Sequence, residues 1–216
     1  MPARTPTGKL TPWRFDPMAC RTDLDDFKRF LAAKPELSER GDISPFFRAH
    51  PHLSAFLGSY NPNVTTYDRL AVEVGLFGQF AADVVAGDRH NRAYCFVEFE
   101  DGQSNSIFVN RGRQTTDWAP RFDHANSQII DWLWLLDDQS HTAAFEEQFG
   151  QWPIDVTALL VAGRDSGVSA TDRRRLQWRR KHVVVNSHHI YCCTFDDLLR
   201  DLRGRLAWAI VAPQPG

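Results

Sequence analysis

The sequence predicts an α/β fold in which helices flank a mixed central β-sheet, with a helical lobe at the N-terminal end. β-prone segments come first, between residues 69 and 109, and helical and strand-like patterns alternate from residue 122 onwards. That order of elements is typical of an α/β or mixed-sheet core. The length of 216 residues, 43% of them hydrophobic, suits one domain with a small helical appendage.

The first third of the chain predicts helices rather than strands. Residues 1–21 are rich in proline, threonine and basic groups, and we expect them to form a loose arm. Thr22, followed by two aspartates, resembles a helix start, and Pro35 ends that helix. Two short helices follow before a proline turn, which gives a helical lobe at 22–62 and leaves 63–216 for the main domain.

Hydrophobic periodicity predicts the elements of the main domain. Alternation marks the strands, as at Leu70, Val72 and Val74, and an apolar stripe that includes Phe122 and Ile129 marks the longest helix. Strands are expected at 69–77, 80–86, 92–100, 106–109, 156–162, 183–185 and 190–193, and helices at 122–138, 142–150, 169–181 and from 194 onwards.

Composition and missing motifs exclude several functional classes. The net charge is −2, so contact with nucleic acid would need a local basic patch. No apolar run approaches the roughly 20 residues that span a bilayer, and no signal peptide is recognisable, so we expect a cytoplasmic protein without membrane contact. The four cysteines lack C-x-x-C spacing, which favours reduced thiols over a zinc site. Neither a P-loop nor a nucleophile elbow occurs.

Three carboxylates form the most informative pattern. Asp83 lies within an otherwise apolar strand, where an ionised carboxylate costs several kcal/mol unless it is paired or bound to a cation. Glu98 and Glu100 are two residues apart, so on a strand they share one face, about 7 Å apart. If the three converge, a hard cation such as Mg²⁺ or Mn²⁺ would turn repulsion into attraction. The alternative is a half-exposed antiparallel strand with Asp83 in a salt bridge.

A second pattern is the basic stretch at 171–182, which holds six arginine or lysine side chains against one aspartate. Such a local field favours contact with the phosphates of DNA. The candidate contacts are Arg173, Arg174, Arg179, Arg180 and Lys181. The alternative is a solvated helix in which Leu176 and Trp178 face the core.

Four short segments carry a resemblance to a known family. They are Phe-Val-Glu-Phe-Glu at 96–100, Ser-Gln-Ile-Ile-Asp-Trp at 127–132, Val-Ala-Gly-Arg at 161–164 and Thr-Phe-Asp-Asp-Leu-Leu at 194–199. In this order they resemble the nuclease domain of Shedu antiphage defence proteins, over about residues 70–205. The spacing from Asp83 to Glu98 also resembles the PD-(D/E)XK nuclease signature.

The resemblance implies a restriction-endonuclease-like core within 63–216. It further implies metal-dependent hydrolysis of DNA phosphodiesters by an endonuclease or nickase in antiphage defence. Asp83 and Glu98 would then be ligands of Mg²⁺ or Mn²⁺, and Gln128 would place the metal, the water or the phosphate. By analogy with nucleases that act on two strands, a homo-oligomer, dimeric or larger, is also expected.

Glu100 departs from the signature, which commonly has lysine at this position. Lysine would stabilise developing negative charge, whereas glutamate could ligate a second metal ion or indicate lost catalysis. Arg111, Arg113 and Arg164 are candidates for the missing positive charge, and Glu73 is a candidate for a further carboxylate. The main alternative function is therefore a catalytically inactive module with the same fold, which binds nucleic acid or acts as a regulator or scaffold. A different metal-dependent hydrolase is a third alternative.

Overall fold

The computed structural model describes residues 8–211, with side chains described up to residue 208. The strands are β1 (Thr11–Pro12), β2 (Arg69–Leu76), β3 (Phe80–Asp88), β4 (Ala93–Phe99), β5 (Phe108–Val109), β6 (Asp117–Trp118), β7 (Asp155–Val161), β8 (Val184–Val185) and β9 (His188–Cys193). The α-helices are α1 (Pro17–Ala33), α2 (Ser44–Ala49), α3 (Pro51–Phe56), α4 (Pro120–Gln139), α5 (Ala143–Phe149), α6 (Ala170–His182) and α7 (Phe195–Val211). A π-helical turn, Glu39–Ile43, and 3₁₀ turns at Leu57–Tyr60 and Asp165–Gly167 lie between them. Within the described residues, no helix is both long and apolar enough to cross a lipid bilayer.

Seven of the described strands form one mixed sheet in the order β1-β2-β3-β4-β7-β9-β8, and β5 pairs with β6 outside it. Neighbours from β1 to β4 are antiparallel, β4, β7 and β9 are parallel, and β8 returns antiparallel to β9. The parallel pairs are connected through α4, α5 and α6, because parallel strands need a long crossover. The predicted α/β fold with a mixed central sheet is confirmed, and the arrangement is consistent with a restriction-endonuclease-like core.

Helices cover both faces of the sheet, so its central strands are apolar on both sides. Phe96 of β4 packs in one core with residues of α4, α5 and α6, and its neighbour Val97 packs in a second core with residues of α1, α2, α3 and α7. All seven residues of β4 are buried as a result. The N-terminal helices share a hydrophobic core with the sheet, and the predicted division of the chain at residue 62 stays a prediction.

The N-terminal boundary differs from the one that the sequence predicted. Helix α1 begins at Pro17, because the Asp16 carboxylate accepts hydrogen bonds from two first-turn backbone N–H groups at 2.8 and 3.3 Å. Residues 11–12 pair with β2 at the edge of the sheet. The expected loose arm at 1–21 is therefore partly strand and helix, and residues 1–7 lie outside the described residues.

Candidate active site

The candidate acidic residues meet where β3 and β4 diverge. The antiparallel ladder between these strands ends at the pair Val84 and Val97. One residue further, Asp83 Oδ2 accepts a hydrogen bond from the backbone N–H of Phe99 at 2.7 Å. The same register, continued by one step, places Glu98 opposite Asp83. The Asp83 side chain thus takes the place of a strand carbonyl, which fixes its carboxylate between the two strands.

A further carboxylate lies on the other side of Asp83. The register of the β2–β3 ladder places Glu73 opposite Asp83 at a step where no ladder pair is formed. Glu73 has a φ of 53°, in the left-handed region that costs a non-glycine residue of the order of 1–3 kcal/mol. Its side chain forms a salt bridge with Arg48. Glu73, Asp83 and Glu98 therefore occupy one row across three adjacent strands.

Glu98 is buried on β4, and the long helix α4 supplies a hydrogen-bond partner for it. Gln128 Nε2 donates to Glu98 Oε1 at 2.9 Å and to the carbonyl oxygen of Ala81 at 3.3 Å. One amide group therefore bridges β3 and β4 at the point where they separate. The structure brings Gln128 into contact with Glu98, whereas His124, one turn earlier on α4, is exposed.

Glu100 follows β4 and lies beside an arginine that the sequence analysis missed. Arg121, in the first turn of α4, has Nε 3.6 Å from Glu100 Oε2 and also forms a salt bridge with Asp101. Asp101 in turn accepts the backbone N–H of Glu39 at 2.7 Å. Arg121 and Gln128 are seven residues apart, which is about two turns on one side of a helix. Helix periodicity was thus a signal that could have indicated Arg121.

The arginines expected to replace the missing lysine are placed elsewhere. Their contacts are Arg111 and Arg113 with Asp117, at 3.7 and 3.8 Å, and Arg164 with Asp196, at 3.0 Å. Arg111 and Arg113 therefore share one carboxylate and Arg164 has another, neither of them Glu100, which weakens the candidacy of all three. Arg121 is the arginine that the fold places beside Glu100.

Burial and mutual repulsion perturb the acidic residues. Burial raises the pKa of Asp83, a rise that the hydrogen bond from a backbone N–H partly opposes and that nearby carboxylates strengthen. Burial also raises the pKa of Glu98 well above its ordinary value, and the neighbouring carboxylates add to that rise. Burial raises the pKa of Glu100 to about 7, with Glu39 as the strongest repelling neighbour and Arg121 as the opposing charge.

Glu39 is a further carboxylate close to Asp83, Glu98 and Glu100, and no local sequence pattern indicated it. It is half-buried in the π-helical turn, where burial raises its pKa. Its charge contributes to the raised pKa values of Asp83, Glu98 and Glu100. Glu39, Asp83, Glu98 and Glu100 are called the acidic cluster below. The proximity of Glu39 to the other three residues depends on tertiary packing, because Glu39 is far from them in the chain.

The acidic cluster fits a hard divalent cation in charge and in donor chemistry, since carboxylate oxygens are ligands that Mg²⁺ and Mn²⁺ prefer. Within residues 8–211, carboxylates are the charged groups that add most to the raised pKa values of Asp83 and Glu98. Among these same residues, however, no group of three His, Cys, Asp or Glu side chains is arranged to hold one metal ion. The predicted ligands Asp83, Glu98 and Glu100 are thus neighbours whose side chains do not converge on one point.

Helix α6 carries the predicted phosphate contacts, and part of its charge is neutralised within the fold. Arg173 forms salt bridges with Asp165 at 2.7 Å and with Asp197 at 3.1 Å. The Arg180 guanidinium lies over the ring of Tyr191, 4.1 Å from its centroid. Arg173 is therefore committed to an internal ion-pair network, which weakens its candidacy as a phosphate contact.

Two of the other predicted phosphate contacts are exposed. Arg174 and Lys181 are exposed, and Arg179 is half-buried with Nη1 3.5 Å from Asp123 Oδ1. Trp178 is 61% exposed, so the expectation that it faces the core is wrong. Contact between this surface and DNA stays a prediction.

A family model matches most of the chain. It describes the C-terminal part of the Shedu protein SduA and matches residues 36–199. The match begins before the segment at 70–205 on which the sequence resemblance depended, and it includes the acidic cluster and Gln128. A comparison with curated proteins found no significant match. Because the family model covers more than half of the chain, the protein belongs to the Shedu SduA C-terminal family.

Proposed function

We propose that the chain is a metal-dependent nuclease that hydrolyses DNA phosphodiester bonds, as an endonuclease or nickase. The observation that carries this proposal is the acidic cluster at the divergence of β3 and β4, where the fold tolerates buried carboxylates that repel one another. Such a cluster costs stability without a cation and gains it with one. Membership of the Shedu family suggests that the role is in antiphage defence.

Asp83 and Glu98 are the residues that would hold Mg²⁺ or Mn²⁺, with Glu100 as a further ligand. A divalent cation at such a site lowers the pKa of a bound water and neutralises charge on a phosphate. The hydrogen bond from Phe99 N fixes one oxygen of Asp83 and leaves the other, Oδ1, for a ligand. The pKa values of about 7 for Asp83 and Glu100 imply that cation binding displaces protons from these carboxyl groups at neutral pH.

Gln128 and Arg121 are the helix residues that support this chemistry. Gln128 orients Glu98 through its Nε2, as a neighbouring hydrogen bond commonly does for a metal ligand. Arg121 places a positive charge beside Glu100, where a lysine would otherwise stand. A guanidinium can bind a phosphate oxygen with charge-assisted hydrogen bonds, so Arg121 can supply part of the missing positive charge to the substrate.

Two observations favour a second function, a catalytically inactive module that binds nucleic acid or acts as a regulator or scaffold. Within the described residues, the carboxylates do not converge as a ready-made set of three metal ligands. The salt bridge between Arg121 and Glu100 also pairs one of the candidate metal ligands with a cation of the protein itself. An inactive relative would keep the fold and the basic surface of α6 but would not depend on Asp83 or Glu98.

Plasmid cleavage separates the two functions. Supercoiled plasmid is incubated with Mg²⁺ or Mn²⁺ and with wild type, Asp83→Asn, Glu98→Gln or the control Glu147→Gln, whose side chain is exposed on α5. The nuclease proposal predicts nicked or linear product from wild type and the control and none from the two cluster variants. Equal cleavage by all four proteins, or none by wild type with either cation, would contradict it.

A further inference from the structure

A groove beside the start of α4 combines an exposed tryptophan and a partly buried one with guanidinium groups. It has a volume of about 570 Å³, within the roughly 300–1,000 Å³ of ligand sites. Its lining includes Trp118, Thr171, Arg174, Arg175, Trp178 and Arg179. We propose that this groove binds an unpaired nucleotide of a DNA strand, with the base stacked on tryptophan and the phosphate held by arginine. The inference rests on the proposed nuclease function and names the form of DNA that the protein would take.

Trp178 provides the exposed surface for a base, and the partly buried Trp118 lines the groove beside it. Trp178 is 61% exposed, although a large aromatic side chain is usually mostly buried. Trp118 is held by its neighbours: its ring stacks on Phe122 with centroids 5.1 Å apart, and the Phe108 centroid is 4.5 Å away. Because guanidinium groups also cover the ring of Trp118, a base would stack on Trp178. Stacking also tolerates any base, because every base has a flat π-face.

Arginines surround these rings and select an anionic ligand. Arg179 and Arg175 lie 4.8 and 5.3 Å from the centroid of the Trp118 ring. Arg174 is exposed, and its Nη2 donates to Thr171 Oγ1 at 3.2 Å. None of the described residues that line the groove is acidic, although Arg175 and Arg179 each have an aspartate neighbour outside it. Positive charge beside flat aromatic surface matches a nucleotide, which carries an anion and a planar ring together.

The groove lies close to the acidic cluster along the chain. Trp118 precedes Arg121 by three residues, and Arg121 Nε is 3.6 Å from Glu100 Oε2. Three residues of extended backbone span at most about 11 Å, so one bound strand can reach both places. A base can stack on a side chain only after it has left its neighbours in the duplex, which favours unpaired DNA over intact duplex.

Binding of a labelled oligonucleotide without divalent cations tests the inference independently of cleavage. The probe is a fluorescein-labelled single strand of about 12 nucleotides, measured by anisotropy in EDTA, alone and annealed to its complement. The proteins are the full chain as wild type, Trp178→Leu, Arg174→Gln and the control Trp134→Leu, which removes another exposed tryptophan on α4. Thermal unfolding of each variant shows whether it is folded.

The groove predicts that Trp178→Leu weakens single-strand binding about tenfold, equal to about 1.4 kcal/mol, because base stacking of this kind is lost. Duplex binding by Trp178→Leu and single-strand binding by Trp134→Leu should change by less than about twofold. Arg174→Gln should lower the number of counterions released on binding by about one, as read from the slope of the logarithm of the binding constant against the logarithm of the salt concentration. The inference is overturned if wild type does not bind the single strand, if Trp178→Leu binds it as tightly as wild type, or if polyglutamate competes as well as the oligonucleotide. Failure of plasmid cleavage with intact single-strand binding would instead remove only the nuclease proposal.

Discussion

Replacing Glu100 by glutamine removes a charge that the fold opposes. Burial and the charge of Glu39 raise the pKa of Glu100 from 4.5 to about 7. Because the folded-state pKa is the higher one, the native state holds more protons than the unfolded state between these values. The stability that the fold retains while Glu100 is protonated is therefore fully present below about pH 4.5. It is lost as the pH rises through about 7 and Glu100 ionises. At about 1.4 kcal/mol per pKa unit, ionising this side chain costs up to about 3 kcal/mol.

Urea unfolding in EDTA measures that cost. At about pH 8, Glu100→Gln should have a free energy of unfolding about 2–3 kcal/mol higher than wild type, and near pH 4.5 the two should be nearly equal. The control Glu147→Gln, which alters an exposed carboxylate on α5, should change stability at neither pH. Added Mg²⁺ should narrow the difference at the higher pH, because a cation that binds the ionised cluster stabilises wild type. If Glu100→Gln is no more stable than wild type at about pH 8, the repulsion assigned to this cluster is refuted.

Three further substitutions test other contacts. Gln128→Ala should lower plasmid nicking by about 10- to 100-fold with little change in the midpoint of thermal unfolding, because Glu98 loses the hydrogen bond that orients it. Unchanged nicking would exclude that role for Gln128. Arg121→Gln should lower nicking of the same plasmid, through loss of the positive charge beside Glu100, and activity equal to wild type would contradict this. Asn61→Ala should lower the free energy of unfolding in urea by about 1–3 kcal/mol, since the buried Nδ2 donates to two backbone carbonyls, each at 3.2 Å. A smaller loss of stability would show that water replaces these hydrogen bonds.

The sheet and its covering helices could be predicted because their patterns are local. The apolar segment that became β3 and the stripe of Phe122 and Ile129 on α4 repeat with the periods of a strand and a helix. The start of α1 was also readable, since an aspartate before Pro17 is a typical cap followed by a proline at the first helical position. Thr22, which also resembles a helix start, lies inside the helix, where its hydroxyl donates to the Met18 carbonyl oxygen.

The candidate site was predictable where a residue conflicts with its own segment, where spacing puts side chains on one face of a strand, or where a motif resembles that of a known family. Asp83 stands out because a carboxylate in an apolar strand must be satisfied by something. Glu39 could not be found in this way, because its effect on the cluster comes from packing of the N-terminal helices against the sheet. The pairing of Arg173 with two aspartates and the exposure of Trp178 also depend on tertiary neighbours, which composition alone does not reveal.

Binding of Mn²⁺ tests the central claim most directly. Electron paramagnetic resonance reports free Mn²⁺, so titration of the full chain at neutral pH counts the ions bound, with and without a short DNA duplex. The account predicts that wild type and Glu147→Gln bind Mn²⁺ and that Asp83→Asn and Glu98→Gln lose this binding while remaining folded. Wild type that binds no Mn²⁺ under either condition, or cluster variants that bind it as well as wild type, would contradict the account.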